Sequence, residues 1–168
     1  MYVSGEDFYV MTYITLFLLE DLIGKKSQSK CFKDHRKMTY LIQLLLDNRL
    51  INIIKRYENR EIHNIVDKEF LFDSFSRSEQ KKNEVEKLLK MLNHEGYIEL
   101  IKSKNPEVYD IRINSNNIPE SFFNNDAFKD VKFDIKELKS SVKRINVLTH
   151  SKFIENVYQL RGLNLWAF

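Results

Sequence analysis

The sequence predicts a mainly α-helical protein with one small β-hairpin. Its 168 residues include only four glycines and two prolines, too few for the turns of a many-stranded β fold. Apolar residues recur at helical spacing through most of the chain. The spacing becomes strand-like in one stretch, just after Gly96. The length suits a single domain, residues 1–168, which can bury a core without disulfides or metals.

The first predicted helix runs from Asp7 to Ile23 and is apolar on nearly every side. Such a helix is either buried on most sides or turns one side to another chain. Gly24 is expected to end it. The apolar run is shorter than the roughly 20 residues of a membrane span, and the N-terminus lacks the basic region of a signal peptide. The single cysteine, Cys31, fits a reducing compartment, so we expect a cytoplasmic protein.

The next helix is predicted to begin at Asp34 and to bury a stripe of four residues: Met38, Leu41, Ile42 and Leu45. The helical pattern resumes after Asp47, so this segment is either one bent helix or two short helices. Residues 58–64 form a charged connector. Ile65 and Val66 fit a short strand that pairs with the later hairpin, and residues 67–75 fit a short helix.

The stretch from Ser76 to Ile113 carries the clearest local signals. Ser76 and Glu79 match a capping box at a helix start, and Gly96 is placed to end that helix in the left-handed conformation. The apolar stripe between them is Val85, Leu88, Leu89 and Leu92.

Two strands follow at residues 97–102 and 108–113, joined by a turn at residues 103–106. A helix followed directly by a β-hairpin is the second half of a winged helix. We therefore predict a winged-helix-like core with flanking helical parts: residues 1–64 are N-terminal, 65–117 the winged-helix part, and 118–168 the C-terminal extension.

The C-terminal extension is expected to be helical from Pro119, with a break at Asn124-Asn125. A last helix is predicted over residues 151–160, closed by Gly162. The final six residues carry no charged side chain, although chain ends are usually polar. They are expected to contact another chain or to pack onto the protein's own core. The candidate partner-binding residues are Leu163, Leu165, Trp166 and Phe168.

No group of residues predicts catalysis. The four histidines are scattered, and Cys31 with His35 offers two zinc ligands where a site needs three or four. Phosphate-binding and nucleophile motifs are missing. The hairpin residues Glu107, Asp110 and Arg112 only partly match the carboxylates and lysine of a metal nuclease. We expect no enzyme, no metal and no cofactor.

The charge of the predicted winged helix argues against DNA sequence reading. Between Arg77 and Arg112 eight basic residues oppose seven acidic ones, a net charge of +1. A helix that enters the major groove needs a strongly positive face. Basic residues are denser in two other segments, for which two interpretations stay open, an ordinary solvated helix face or non-specific proximity to DNA. The candidate residues for proximity to DNA are Lys25, Lys26, Lys30, Lys33, Arg36, Lys37, Lys136, Lys139, Lys143 and Arg144.

Several of these features together resemble the middle components of ABC-three-component systems, over most of residues 7–145. They are the apolar first helix, the segment Phe32–Lys37 (FKDHRK) leading into Leu41-Ile42, the central winged helix, and residues 122–128 (FFNNDAF) before a basic helix. Members of this family are small accessory subunits encoded with an SMC- or Rad50-like ATPase, as in Lamassu-type anti-phage defence.

The resemblance implies a non-catalytic subunit that binds the ATPase and helps to hold an effector, often a nuclease, in check. DNA is expected only through the complex, and neither a membrane nor a small-molecule substrate is expected. Two alternatives remain from the residues themselves: a winged-helix DNA-binding transcriptional regulator and a small nuclease.

Overall fold

The computed structural model describes residues 5–24 and 30–165, with side chains from Phe8 onward. The predicted class, mainly α with a small β-hairpin, is confirmed. The helices are α1 Gly5–Ile23, α2 Lys37–Leu45, α3 Asn48–Arg56, α4 Ile65–His94, α5 Glu120–Phe123, α6 Lys129–Ser141 and α7 His150–Val157. The strands are β1 Ile98–Lys102 and β2 Tyr109–Ile113. Short 3-10 turns lie at Ser115–Asn117, Asp126–Phe128 and Gln159–Arg161.

Helix α1 is buried on all sides only within its second half. All six residues from Ile14 to Leu19 are buried, whereas Tyr9 and Val10 near its start are exposed. Gly24, with a φ of +77°, ends the helix as predicted. The buried half packs against aromatic residues of the C-terminal part, including Phe122 and Phe128.

Helices α2 and α3 are two separate helices. The Asp47 side chain accepts a hydrogen bond from the Arg49 backbone N at 3.0 Å and so caps the start of α3. The predicted stripe of α2 is buried, from Met38 to Leu45. Asp34 does not start α2 as expected: its φ of +63° is left-handed, and the helix begins three residues later at Lys37.

Helix α4 is one continuous helix of 30 residues. Its cap is Asn64, whose side chain accepts from the backbone N atoms of Val66 at 2.9 Å and Asp67 at 3.2 Å. The strand predicted at Ile65-Val66, the separate short helix at 67–75 and the capping box at Ser76 were therefore wrong. The physical reason is that no glycine or proline interrupts residues 65–94, so the helix runs through the serine positions.

The β-hairpin follows α4 as predicted, with each strand beginning one residue later. Gly96, at a φ of +78°, donates to Asn93 O at 3.1 Å, and the Tyr97 N donates to Leu92 O at 3.0 Å, which closes the helix in a Schellman motif. The strands pair antiparallel from Ile98 opposite Ile113 to Lys102 opposite Tyr109. The third backbone segment that pairs with the hairpin is Phe32, which forms an isolated bridge with Ile111.

The C-terminal part is helical with the predicted interruption. The Asn125 side chain accepts from the Ala127 N at 3.0 Å and separates α5 from α6. Helix α7 begins at His150, one residue before the predicted start, and Gly162, at a φ of +84°, closes the segment. Buried residues from all parts, Met11 to Leu163, form one hydrophobic cluster.

Candidate functional site

Six consecutive residues, Phe32 to Lys37, join the hairpin to the C-terminal part, and we refer to them as the motif cluster. Phe32 and Ile111 exchange both backbone hydrogen bonds, at 2.7 and 2.8 Å. The backbone N of Lys33 donates to Asn146 O at 2.7 Å, and that of His35 donates to Tyr109 O at 2.8 Å. The motif cluster is thus a structural connection between distant parts of the chain.

Two carboxylates organise the motif cluster. Asp110 on β2 accepts from the Asp34 backbone N at 3.0 Å and from Lys33 Nζ at 2.6 Å. Asp34 accepts from the Arg36 guanidinium through two bonds, at 2.8 and 2.7 Å, and from the His150 backbone N at 3.0 Å. Burial alone would raise the pKa of Asp34, but the hydrogen bonds from Arg36 and His150 outweigh it and hold that pKa below its ordinary value.

Lys37 lies inside the protein, at 0% exposure. Its Nζ donates to Ile145 O at 2.5 Å and sits 4.3 Å from the centroid of the Phe32 ring. Burial lowers the pKa of Lys37 to about 7, although Asp34 and Asp110 act to raise it. Its predicted position near DNA was wrong, because the amine is enclosed by the motif cluster and the segment after α6.

The other residues expected near DNA fall into three groups. Lys33, Arg36 and Lys139 are exposed, but each forms an ion pair, with Asp110, Asp34 and Asp21 respectively. Within the ranges 5–24 and 30–165, four are exposed and form no ion pair: Lys30, Lys136, Lys143 and Arg144. Lys25 and Lys26 lie outside the described residues.

Several charged side chains of α4 and the hairpin are paired along their own elements, whereas Arg77, Lys87, Lys102 and Lys104 form no ion pair among the described residues. Three lysines of α4 contact carboxylates one turn away, and Arg112 on β2 contacts Glu99 on β1. The pairs are Lys81–Glu84 at 2.8 Å, Lys82–Glu79 at 2.6 Å, Lys90–Glu86 at 2.7 Å and Arg112–Glu99 at 2.9 Å. These four pairs balance half of the eight basic residues between Arg77 and Arg112 locally in space.

The predicted partner-binding tail is divided by the structure. Leu163 is buried in the hydrophobic cluster, and its backbone N donates to Tyr158 O at 3.3 Å. Leu165 is partly buried against the same cluster. The prediction that Leu163 contacts another chain was wrong, because this side chain packs into the protein's own core. Trp166 and Phe168 lie outside the described residues, and their role stays a prediction.

Arg161 is a buried residue that the sequence did not single out. Its guanidinium donates to Asn156 O at 2.6 Å, Val157 O at 3.0 Å and Ile54 O at 2.9 Å. It therefore joins the carbonyl ends of α3 and α7, where a cation is favoured by both helix dipoles. Burial lowers the pKa of Arg161 to about 10. No local pattern reveals this role, because Ile54 is 107 residues away.

A groove of about 550 Å³ lies between the motif cluster, α4 and the start of α7. Its rim carries charges of both signs, Arg36 and Lys82 against Glu86 and Glu107. Burial lowers the pKa of His150, at one end of the groove, to about 4, so this imidazole is neutral at pH 7. Such a mixed rim has no net attraction for a polyanion.

Across the two described ranges, no three His, Cys, Asp or Glu residues are grouped so that they could hold a metal ion. None of the helices in this part of the chain is both long and apolar enough to cross a membrane. No known protein family, curated protein or solved structure matches the chain.

Proposed function

We propose that this protein is a non-catalytic accessory subunit of a larger cytoplasmic complex. Following the family resemblance, the complex is a bacterial anti-phage or anti-plasmid defence system. In it the chain docks on an SMC- or Rad50-like ATPase and helps to hold an effector, a nuclease, in check. Its helix–hairpin unit acts as a winged helix that serves as a scaffold for protein contacts.

The pairing of charges on α4 and the hairpin is the observation that carries this proposal. A helix that reads the major groove gains most of its affinity when unpaired cations meet phosphates. Here Lys81, Lys82 and Lys90 already contact carboxylates of the same helix. Those carboxylates would face the phosphates on docking. The balance favours a protein partner over a DNA sequence.

The motif cluster supports the same proposal. Its residues are one of the four features on which the resemblance rests, and each of them has a structural contact in the fold. The Phe32–Ile111 bridge adds a third backbone segment to the hairpin, as winged helices often have. This part of the resemblance therefore rests on residues that hold the fold together, and the exposed surface is left to define the partners.

Co-expression with an ATPase and an effector encoded beside this chain tests the proposal. A tagged copy of the chain is expected to retain the ATPase through purification and size-exclusion chromatography. The isolated chain is expected to leave DNA uncut in the presence of Mg²⁺ or Mn²⁺. Failure to retain the ATPase, or metal-dependent cleavage by the isolated chain, would overturn the proposal.

A second candidate, a DNA-binding transcriptional regulator, is favoured by one observation. Among the described residues, Lys136, Lys143 and Arg144 are exposed and have no acidic partner. Titration of the chain against duplexes from its own promoter region, at several salt concentrations, separates the two candidates. Preference for one duplex that persists at physiological salt identifies a regulator. Weak binding that is equal for all duplexes and lost with salt leaves the subunit proposal in place.

A further inference from the structure

The first three turns of α4 turn a partly apolar face to solvent. Ile65 is 72% exposed, Val66 65% and Phe72 47%. Glu69 and Asp73 lie on the same side, because positions i, i+1, i+4, i+7 and i+8 of a helix share one face. We name these five residues the α4 face.

The α4 face is not required by the fold. The opposite side of the same turns supplies the buried residues, among them Leu71 and Phe75. The helix start is held by the two hydrogen bonds to the Asn64 side chain. Exposed β-branched residues such as Ile65 and Val66 add little to helix stability. Exposed apolar side chains that share one helix face indicate a candidate interaction site.

Charges within the α4 face indicate what covers it. In the described part of the chain, neither Glu69 nor Asp73 forms an ion pair or a side-chain hydrogen bond. Further along the same helix, Glu79, Glu84 and Glu86 are each paired with a lysine. Two free carboxylates set among three apolar side chains complement a segment that presents apolar residues flanked by Lys or Arg.

We propose that the α4 face docks a segment of the ATPase that presents apolar residues flanked by Lys or Arg. This inference rests on the proposed function, since it assigns a surface to that contact. A second copy of the chain fits less well, because a symmetric pair would bring the Glu69 and Asp73 carboxylates of both copies together. Nucleic acid fits less well too, because both carboxylates would meet phosphates.

Substitution of the apolar part is the first test. The double variant I65D/F72D is measured against the purified ATPase encoded beside this chain, with the dissociation constant as the readout. We expect a loss of affinity of about thirty-fold or more, the range of interface hot spots. Phe133→Asp, at a residue 63% exposed on α6, is the matched control and should bind like the wild type. All these variants should keep the wild-type melting temperature, because the substituted residues are exposed.

Charge reversal is the second test. E69K/D73K should weaken binding and remove most of the decrease in affinity that the wild type shows as salt is raised.

The outcomes of the two tests separate the surface from the proposed function. If the wild type binds and both double variants bind equally well, the assignment of this surface is wrong and the proposed function stands. If the wild type does not bind the ATPase, the proposed function fails and the partner assigned here fails with it. If the wild type alone is a dimer that I65D/F72D converts to monomer, the occupant is a second copy and the inference is overturned.

Discussion

The Asp34 backbone N donates to Asp110 Oδ1 at 3.0 Å, across 76 residues of sequence. Asp34 holds the left-handed backbone that precedes α2, at a φ of +63°, and Asp110 lies on β2. One carboxylate of the hairpin therefore fixes the chain direction at the entry to α2. The same carboxylate also binds the Lys33 ammonium at 2.6 Å.

Removing the Asp110 carboxylate should destabilise the protein. Asp110→Ala leaves the buried Asp34 N–H without its acceptor and breaks the ion pair with Lys33. We expect a loss of about 2–4 kcal/mol in the free energy of unfolding, measured by urea denaturation. Glu107→Ala, at an exposed position in the turn of the same hairpin, is the control and should be nearly neutral. Equal effects of the two substitutions would contradict this account of the motif cluster.

Stability should rise with pH because of Lys37. Its pKa is about 7 in the folded protein, against an ordinary value of 10.5. Between these values the unfolded chain binds a proton that the folded chain does not, so stability is lost as pH falls from about 10 to 7. At about 1.4 kcal/mol per unit of pKa, the free energy of unfolding should increase by several kcal/mol from pH 7 to pH 9.5.

Lys37→Met isolates this effect. In this variant most of the increase toward pH 9.5 should disappear, while the loss of the donor to Ile145 O lowers stability equally at every pH. Lys87→Met, at an exposed position on α4, should keep the wild-type slope. The measurement stops below pH 10, because burial raises the pKa of Tyr40 and of Tyr158, and their ionisation in the unfolded chain opposes folding above that range. A wild-type stability that is flat over this window would show that Lys37 stays charged in the folded state.

Truncation of Phe17 should cost about 3–5 kcal/mol, as for other buried phenylalanines. Its ring lies 5.3 Å from that of Phe122 and 5.6 Å from that of Phe123, between ring centroids. Phe17→Ala therefore removes a buried part of the contact between α1 and the C-terminal part, while the stacking of Tyr13 on Phe122 and Phe128 remains. Thermal melting followed by circular dichroism measures the effect. Tyr9→Ala, at an exposed position on α1, should leave the melting temperature close to that of the wild type.

Arg161 should not be replaceable by lysine. The planar guanidinium donates to carbonyls of two helices at once, Ile54 O on α3 and Val157 O on α7, and a single ammonium does not have this fork geometry. Both Arg161→Lys and Arg161→Met should lose about 1–3 kcal/mol, because carbonyl acceptors are left without donors. Arg60→Lys, at an exposed position, is the control. Full stability of Arg161→Lys would mean that charge alone is sufficient.

Local signals predicted the parts of the fold that depend on neighbouring residues. Gly96 and Gly162 end their segments in the left-handed conformation, and the turn at residues 103–106 joins the strands. The four residues of the predicted α2 stripe are buried, but Lys37, Thr39, Tyr40 and Leu44 are buried too, so helical spacing revealed only part of what α2 buries. The prediction of a helix start at Ser76 was wrong because a capping box is only a local preference. A longer helix that is capped by Asn64 runs through this position.

The motif cluster shows what local signals miss. The acceptor for the Lys37 amine, Ile145 O, is 108 residues away, and the Asp34 carboxylate accepts from the His150 N at a separation of 116. From the sequence, Asp34 was expected to start a helix and Lys37 was a candidate for proximity to DNA. Their hydrogen-bond partners, a carbonyl and a backbone N–H from the C-terminal part, become neighbours only in the folded chain.

The unbroken length of α4 has a mechanical consequence. Thirty residues at about 1.5 Å each make a rod of about 45 Å, without a glycine or proline at which it could bend. The α4 face lies at one end of this rod and the hairpin at the other. Two proteins bound at these ends would be kept at a fixed spacing, so that a displacement of one is passed to the other as the movement of a rigid lever.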